Sequence, residues 1–219
     1  MITRSRVVGL LFALLLATPL HAAGEWVLRL EAGATAYSQE SFAGYLIGYD
    51  RLELDGGMAL GLAAEYRASE HFGVAVSWSR LRLDAHWQRV EYRPDPADPT
   101  VPLATTVAAH SGDLTLQPLG IAAYWHPLRH PRFDLYLGPQ LAWVPFSVGV
   151  EGAPDRDAEW AYGGELGGEI RLGDSPWSVG LTFRHLEVQH DGAEHDLYTG
   201  MGLELYSAVL SYRFGSAVR

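Results

Sequence analysis

Charged side chains in this sequence occur at alternate positions within apolar segments. Arg29 and Glu31, for example, alternate with Leu28 and Leu30. Because a β-strand sends successive side chains to opposite faces, these charges would share one face. The same pattern places nine charges on one face of their strands: Arg29, Glu31, Glu65, Arg67, Glu165, Glu169, Arg171, Arg184 and Arg213. Since buried charges require partners, we expect a lumen-facing network of ion pairs inside a barrel, with a narrow polar conduit as the alternative.

The segment Phe183-Arg184-His185-Leu186-Glu187 is the best candidate for catalysis. Known outer-membrane lipid A deacylases, which are eight-stranded barrels, place a histidine and a serine two residues apart on a strand, with an acid that completes the triad. Here Glu187 stands where that serine is required. We therefore expect a non-enzymatic protein with no catalytic residue, and keep the hydrolase as an alternative.

No metal or cofactor site is predicted. The chain contains no cysteine, which removes thiolate ligands. His185, His190 and His195 are spaced five residues apart, and this spacing places them on one face of neither a strand nor a helix.

The first residues have the form of a targeting segment. Arg4 and Arg6 precede the apolar run from Val7 to Ala17, and small residues follow at Ala22 and Ala23. This order is typical of a Sec-type signal peptide, and the apolar run is shorter than the about 20 residues of a spanning helix. We predict a signal peptide over residues 1–22, cleaved after residue 22 or 23, and one domain over residues 23–219.

The rest of the chain alternates with a period of two over eight segments. They lie at about 26–37, 57–67, 71–83, 112–125, 132–146, 161–172, 177–188 and 201–214. Connections after even-numbered segments are short, and those after odd-numbered segments are long and polar. This predicts an all-β fold: an eight-stranded antiparallel up-and-down transmembrane β-barrel with short periplasmic turns and long extracellular loops.

Aromatic residues favour a membrane barrel over a soluble one. At the expected periplasmic strand ends they form a predicted girdle of Trp26, Tyr66, Phe72, Tyr124, Phe133, Trp177 and Phe214. Lipid–water interfaces select such belts. A soluble periplasmic ligand-binding barrel, which also alternates, remains the alternative. The ends of the strands predicted at 112–125 and 132–146 are not determined, because proline cannot donate a hydrogen bond to the ladder. The prolines in these segments are Pro118, Pro139 and Pro145.

Several motifs resemble the OmpW-type small outer-membrane barrels and, more loosely, the eight-stranded OmpA/OmpX-type barrels. They are Leu60 to Tyr66 with Ser69 to Val74, Leu116 to Leu119, Tyr124 to His126, and Ser211 to Phe214. The resemblance covers nearly the whole mature chain. It implies a bacterial outer-membrane location and passage of small molecules, hydrophobic ones among them, or a structural role in the envelope.

The expected partners follow from charge and from the last strand. A net charge of −10 argues against nucleic acid. A membrane barrel would contact outer-membrane lipids and lipopolysaccharide. The aromatic strand from Tyr206 to Phe214 resembles the signal read by the barrel-assembly machinery.

Overall fold

The computed structural model describes residues 24–37, 41–45, 48–98, 102–148, 157–189 and 201–215, so the predicted signal peptide lies outside the described residues. Its ten strands are β1 (Glu25–Tyr37), β2 (Ser41–Tyr45), β3 (Gly48–Arg67), β4 (Phe72–Pro94), β5 (Pro102–Leu116), β6 (Leu119–His130), β7 (Phe133–Val148), β8 (Asp157–Arg171), β9 (Trp177–Gln189) and β10 (Met201–Gly215). Within these ranges, no helix has the length and apolar character needed to cross a membrane.

The strands close into an antiparallel barrel. The first and last strands pair from Glu25 with Gly215 to Tyr37 with Leu203, which joins the two ends of the sheet. β5 and β6 follow one another in a single position between β4 and β7, and β2 pairs with β3. Eight strand positions therefore surround the interior. This confirms the predicted eight-stranded barrel.

The three prolines lie where the ladder is interrupted. Gln117 and Pro118 separate β5 from β6; the Gln117 amide donates to the Pro145 carbonyl (2.9 Å), and the Ser79 amide donates to the Pro118 carbonyl (3.0 Å). Pro139 lies within β7, opposite Gly164 of β8. On its other side, the pairing of β7 with β6 passes from Gln140 to Leu137 without it. The prolines thus interrupt pairing locally, and the barrel remains closed.

β4 and β5 are longer than the sequence predicts. The predicted strand at 71–83 continues to Pro94, and the one at 112–125 begins at Pro102, so much of the expected loop is an extended hairpin. The alternation inverts within β4. Ser77 and Ser79 face the interior and are followed there by Leu81 and Leu83, while outward-facing Trp78 is followed by Arg80. The predicted segment ended at residue 83, three residues after the outward-facing side chains become polar at Arg80.

The outer surface around the middle of the barrel is apolar. Leu30 is 52% exposed, Leu62 53% and Leu181 70%. Soluble proteins rarely expose a continuous apolar surface of this kind, whereas a barrel in hydrocarbon requires it. The barrel has one end with short turns, at residues 68–71, 131–132 and 172–176, called the turn end here. The opposite end, toward which β4 and β5 extend, is called the loop end.

Substituting arginine on this surface tests its contact with hydrocarbon. For Leu30→Arg, in the middle of β1, we expect a loss of about 2–4 kcal/mol in the free energy of unfolding from lipid vesicles. Leu172→Arg is the matched control, because Leu172 is 48% exposed but lies at the turn end. Its expected loss is about 0–1 kcal/mol. Guanidinium titration measures both, and equal losses would contradict a depth-dependent membrane contact.

Candidate functional site

Arg29 is the centre of a buried ion-pair cluster in the turn-end half of the interior. Its Nη2 lies 2.5 Å from Glu65 Oε2, and its Nε lies 2.6 Å from Glu169 Oε1. The side chains of all three residues are fully buried. The guanidinium carbon also lies 4.3 Å from the ring centroid of Tyr136, a cation–π distance. One arginine therefore joins carboxylates from β3 and β8 across the barrel.

A second set of ion pairs lies closer to the turns. Arg67 Nη1 is 2.7 Å from Asp134 Oδ2, which is also 3.1 Å from Arg213 Nη2. Glu25 accepts from Arg129 at 2.6 Å. The turn-end network is defined as Arg29, Glu65 and Glu169 together with these five residues. Its members come from six strands of the barrel, so it crosslinks the wall from inside.

His126 joins the two sets. Its Nε2 lies 2.7 Å from Glu65 Oε1, and its Nδ1 lies 2.9 Å from Asp134 Oδ1. Neither His126 nor Asp134 was predicted from the sequence. His126 lies two residues after Tyr124 on the same inward side of β6, so an outward assignment of Tyr124 placed His126 outside as well.

Arg184 organises the middle of the interior. Its Nε donates to Glu165 Oε2 at 2.9 Å, its Nη2 lies 3.1 Å from Glu31 Oε2, and its Nη1 donates to Ser79 Oγ at 3.1 Å. In the same region the side-chain amide of Gln140 donates to Ser77 Oγ at 3.0 Å. We use the name floor for the four residues Ser79, Gln140, Glu165 and Arg184.

The interior becomes apolar between the floor and the loop end. The buried side chains there are Ala59, Leu81, Leu83, Ala85, Leu114, Leu116, Ala142, Val144, Ala161, Leu186, Val188, Leu203 and Leu205, with Phe146 packed against them. We call this set the loop-end core. The alternation in the sequence predicted a polar lumen, so the loop-end core was not predicted. Along β9 the interior side changes at one step, from Arg184 to Leu186.

The nine predicted lumen charges are placed as follows. Arg29, Glu31, Glu65, Arg67, Glu165, Glu169, Arg184 and Arg213 are buried in the interior. Arg171 is half-buried at the turn end of β8. The charges divide into two groups: Arg29, Glu65, Arg67, Glu169 and Arg213 lie in the turn-end network, and Arg184 pairs with Glu31 and Glu165.

The prediction for Tyr124 is wrong. It is 1% exposed and lies inside, where its ring is 5.1 Å from that of Tyr136, whereas Trp125 is 48% exposed. Both faces of β6 are apolar here, so alternation could not distinguish the two. The other predicted aromatics lie on the outside near the turn end: Trp26, Tyr66, Phe72, Phe133, Trp177 and Phe214. Trp26 has ring neighbours on both sides, Tyr66 at 5.1 Å and Phe214 at 6.5 Å.

Removing the central cation tests the turn-end network. For Arg29→Met, we expect a loss of about 3–5 kcal/mol in the free energy of unfolding, because Glu65 and Glu169 would lose a buried partner. Arg82→Met is the control, since Arg82 pairs with Asp113 at the surface, with side chains 68% and 45% exposed. Its expected loss is below about 1 kcal/mol. Denaturant titration in lipid vesicles measures the free energy of unfolding of both variants. A loss for Arg29→Met as small as that for Arg82→Met would show that Arg29 does not stabilise the turn-end network.

Comparison with solved structures identifies similar barrels. OprG from Pseudomonas aeruginosa aligns with a TM-score of 0.58 at 14% identity, covering 89% of this chain and 98% of OprG. Neisserial surface protein A gives 0.52 at 16% identity, covering 87% and 97%. The outer membrane protein AlkL gives 0.51 at 16% identity, covering 90% and 92%. At these identities the likeness concerns the fold. No curated protein matches the sequence significantly.

A family model extends over most of the sequence. It describes an outer membrane protein β-barrel domain and matches residues 8–214. In such barrels the short turns are periplasmic and the longer connections are extracellular, so the turn end faces the periplasm and the loop end faces the outside. The apolar outer surface and the aromatic residues near the turn end agree with this placement. The chain belongs to the outer membrane protein β-barrel domain family and is an integral barrel of the bacterial outer membrane.

Proposed function

We propose that this barrel admits small apolar molecules from the extracellular side and is closed to ions along its axis. The observation that carries the proposal is the change of the interior from charged to apolar at the floor. Arg184 and Ser79 each precede a leucine of the loop-end core by two residues on their strands, Leu186 and Leu81. The two halves of one lumen therefore favour different molecules.

The turn-end network opposes an aqueous path. Arg29, Glu65 and Asp134 are buried to 2% exposure or less, and direct ion pairs join them to one another or to their neighbours. The interior of an eight-stranded barrel is just wide enough for side chains to fill it. An ion crossing this region would have to separate buried charge pairs, which is strongly unfavourable.

The loop-end core favours apolar molecules. Leu83, Leu186 and Leu203 are each 1% exposed, and they come from three different strands. A molecule entering among such side chains loses contact with water without leaving polar groups unpaired. Hydrocarbons gain about 25 cal/mol of transfer free energy per Å² of apolar area that they bury there. For a charged solute this gain is outweighed by the cost of removing the charge from water.

A molecule held above a closed network needs an exit through the wall. The pairing of the described wall is interrupted where β5 and β6 meet β7. There β5 pairs with β7 only from Leu114 to Leu116, and neither Pro118, in the break between β5 and β6, nor Pro139, within β7, has an amide hydrogen to donate. We propose that apolar molecules leave sideways at this seam into the surrounding membrane.

The protein is proposed to be non-enzymatic. His185 and Glu187 lie on the outward side of β9, with His185 Nε2 3.7 Å from Glu187 Oε2. The residues opposite His185 are Gly164 on β8 and Glu204 on β10. Neither carries a hydroxyl or thiol that this outward-facing histidine could activate as a general base.

The remaining proposals concern export and partners. We propose that a Sec-type signal peptide over residues 1–22 directs export, and that the strand from Tyr206 to Phe214 engages the barrel-assembly machinery. Outward-facing Tyr206, Leu210, Tyr212 and Phe214 support the second proposal, because assembly would read an apolar strand face. Lipopolysaccharide is the proposed lipid partner around the extracellular end.

Apolar binding can be measured by equilibrium dialysis of radiolabelled naphthalene against nanodiscs with and without the protein. We expect binding above that of empty nanodiscs. For Leu186→Gln, affinity is expected to fall about tenfold, because the ligand must displace water that solvates the new amide. Glu187→Gln changes the next residue, on the outward side, and should leave affinity unchanged. No excess over empty nanodiscs would refute the proposed function.

The enzymatic alternative is tested on lipid A itself. Mass spectrometry of lipid A from cells with and without the protein should give the same number of acyl chains. His185→Ala should also leave that pattern unchanged. Loss of an acyl chain that depends on His185 would overturn the non-enzymatic proposal and support the hydrolase.

A further inference from the structure

Five buried polar atoms lie near the middle of the barrel without a hydrogen-bond partner among the described residues. They are Gln140 Oε1, Glu165 Oε1, the hydroxyls of Tyr124 and Tyr136, and Arg29 Nη1, whose guanidinium carbon lies 4.3 Å from the centroid of the Tyr136 ring. Their residues are at most 4% exposed. Buried polar atoms are nearly always hydrogen-bonded, so a group of unpaired ones indicates where a polar partner binds. Gln140 Oε1 and the ionised Glu165 Oε1 can only accept, the two tyrosine hydroxyls can donate or accept, and Arg29 Nη1 can only donate.

These atoms belong to the region directly below the loop-end core. Gln140 precedes Ala142 of that core by two residues on β7, and Glu165 lies on the adjacent β8. The two strands are in register there, with Gln140 opposite Gly163 and Gly138 opposite Glu165. The Gln140 amide nitrogen is held by Ser77, which leaves its oxygen free to accept. Glu165 is thus two residues along β8 from the residue opposite Gln140, and each of the two side chains has one free acceptor oxygen.

The floor also carries an excess of negative charge. Glu31 and Glu165 both pair with Arg184, so two carboxylates share one guanidinium. Arg29 is occupied by two other carboxylates, Glu65 and Glu169. Glu165 Oε1 has no hydrogen-bond donor, although the residue is only 4% exposed. A buried carboxylate oxygen beside apolar side chains favours a cation as its partner.

We propose that the floor binds the head group of a small apolar primary amine whose hydrocarbon part lies in the loop-end core. The ammonium group would donate to Glu165 Oε1 and Gln140 Oε1, with its third hydrogen available to a tyrosine hydroxyl. This inference rests on the proposed uptake of apolar molecules and adds the chemistry of the head group. A neutral alcohol keeps only the weaker hydrogen bonds, and a carboxylate is repelled by Glu165 and Glu31.

Three probes with the same chain separate these cases: octylamine, octanol and octanoate. Each displaces radiolabelled naphthalene from the full-length protein in zwitterionic nanodiscs, and empty nanodiscs correct for partitioning into lipid. Octylamine is protonated at neutral pH, as lysine is. We expect octylamine to bind about tenfold more tightly than octanol, and octanoate to bind more weakly than octanol.

Two variants locate the head group. Glu165→Gln keeps the shape and should bring octylamine to the affinity of octanol, while Gln140→Met should weaken both. Glu204→Gln, which removes an outward-facing carboxylate, is the control and should change neither. Heat-modifiable migration in SDS gels checks that each variant is folded. Equal affinity for all three probes, or an amine preference that survives Glu165→Gln, would overturn this inference and leave apolar binding intact. Failure of naphthalene itself to bind would instead overturn the proposed function.

Discussion

The structure depends on one constraint: inside hydrocarbon, every backbone donor and acceptor must be paired within the protein. The pairing of β1 with β10, from Glu25 with Gly215 to Tyr37 with Leu203, meets this constraint by removing both edges of the sheet. Closure then divides side chains into two sets. Leucines such as Leu30 and Leu62 face lipid, and Arg29 and Glu65 have no place except the interior.

Charges enclosed in this way must neutralise one another. Arg29 between Glu65 and Glu169, and Asp134 between Arg67 and Arg213, show how this is achieved. Such pairs add little net stability compared with a packed apolar interior, but breaking one is costly. In the proposed function their main consequence is selectivity, because a region filled by paired charges disfavours both ions and hydrocarbons.

The sequence predicted what alternation alone determines. The inward placement of Arg29 and Glu169 and the outward placement of Trp26 follow from a period of two, whereas the eight-stranded barrel was predicted from the number of segments and the alternating lengths of their connections. Tyr124 was misplaced because its strand is apolar on both faces, so packing against Tyr136 decided its side. His126 was missed because its contacts with Glu65 and Asp134 join residues 61 and 8 positions apart in the chain. Three-dimensional contacts of this kind leave no periodic signal.

The extension of β4 follows from the same alternation once its inversion is recognised. Up to Ser79 the interior side is polar and the outward side apolar; from Arg80 onward the two exchange. The inversion marks the level at which the wall leaves hydrocarbon, because outward-facing Arg80 and Arg82 are stable only near water or headgroups. The loop-end core begins at this level and takes its side chains from seven strands, so the whole wall, and not the hairpin alone, packs around it. The floor lies at the boundary between the charged interior and the loop-end core. We therefore propose this boundary as the level at which an amphipathic molecule contacts charged and apolar side chains together.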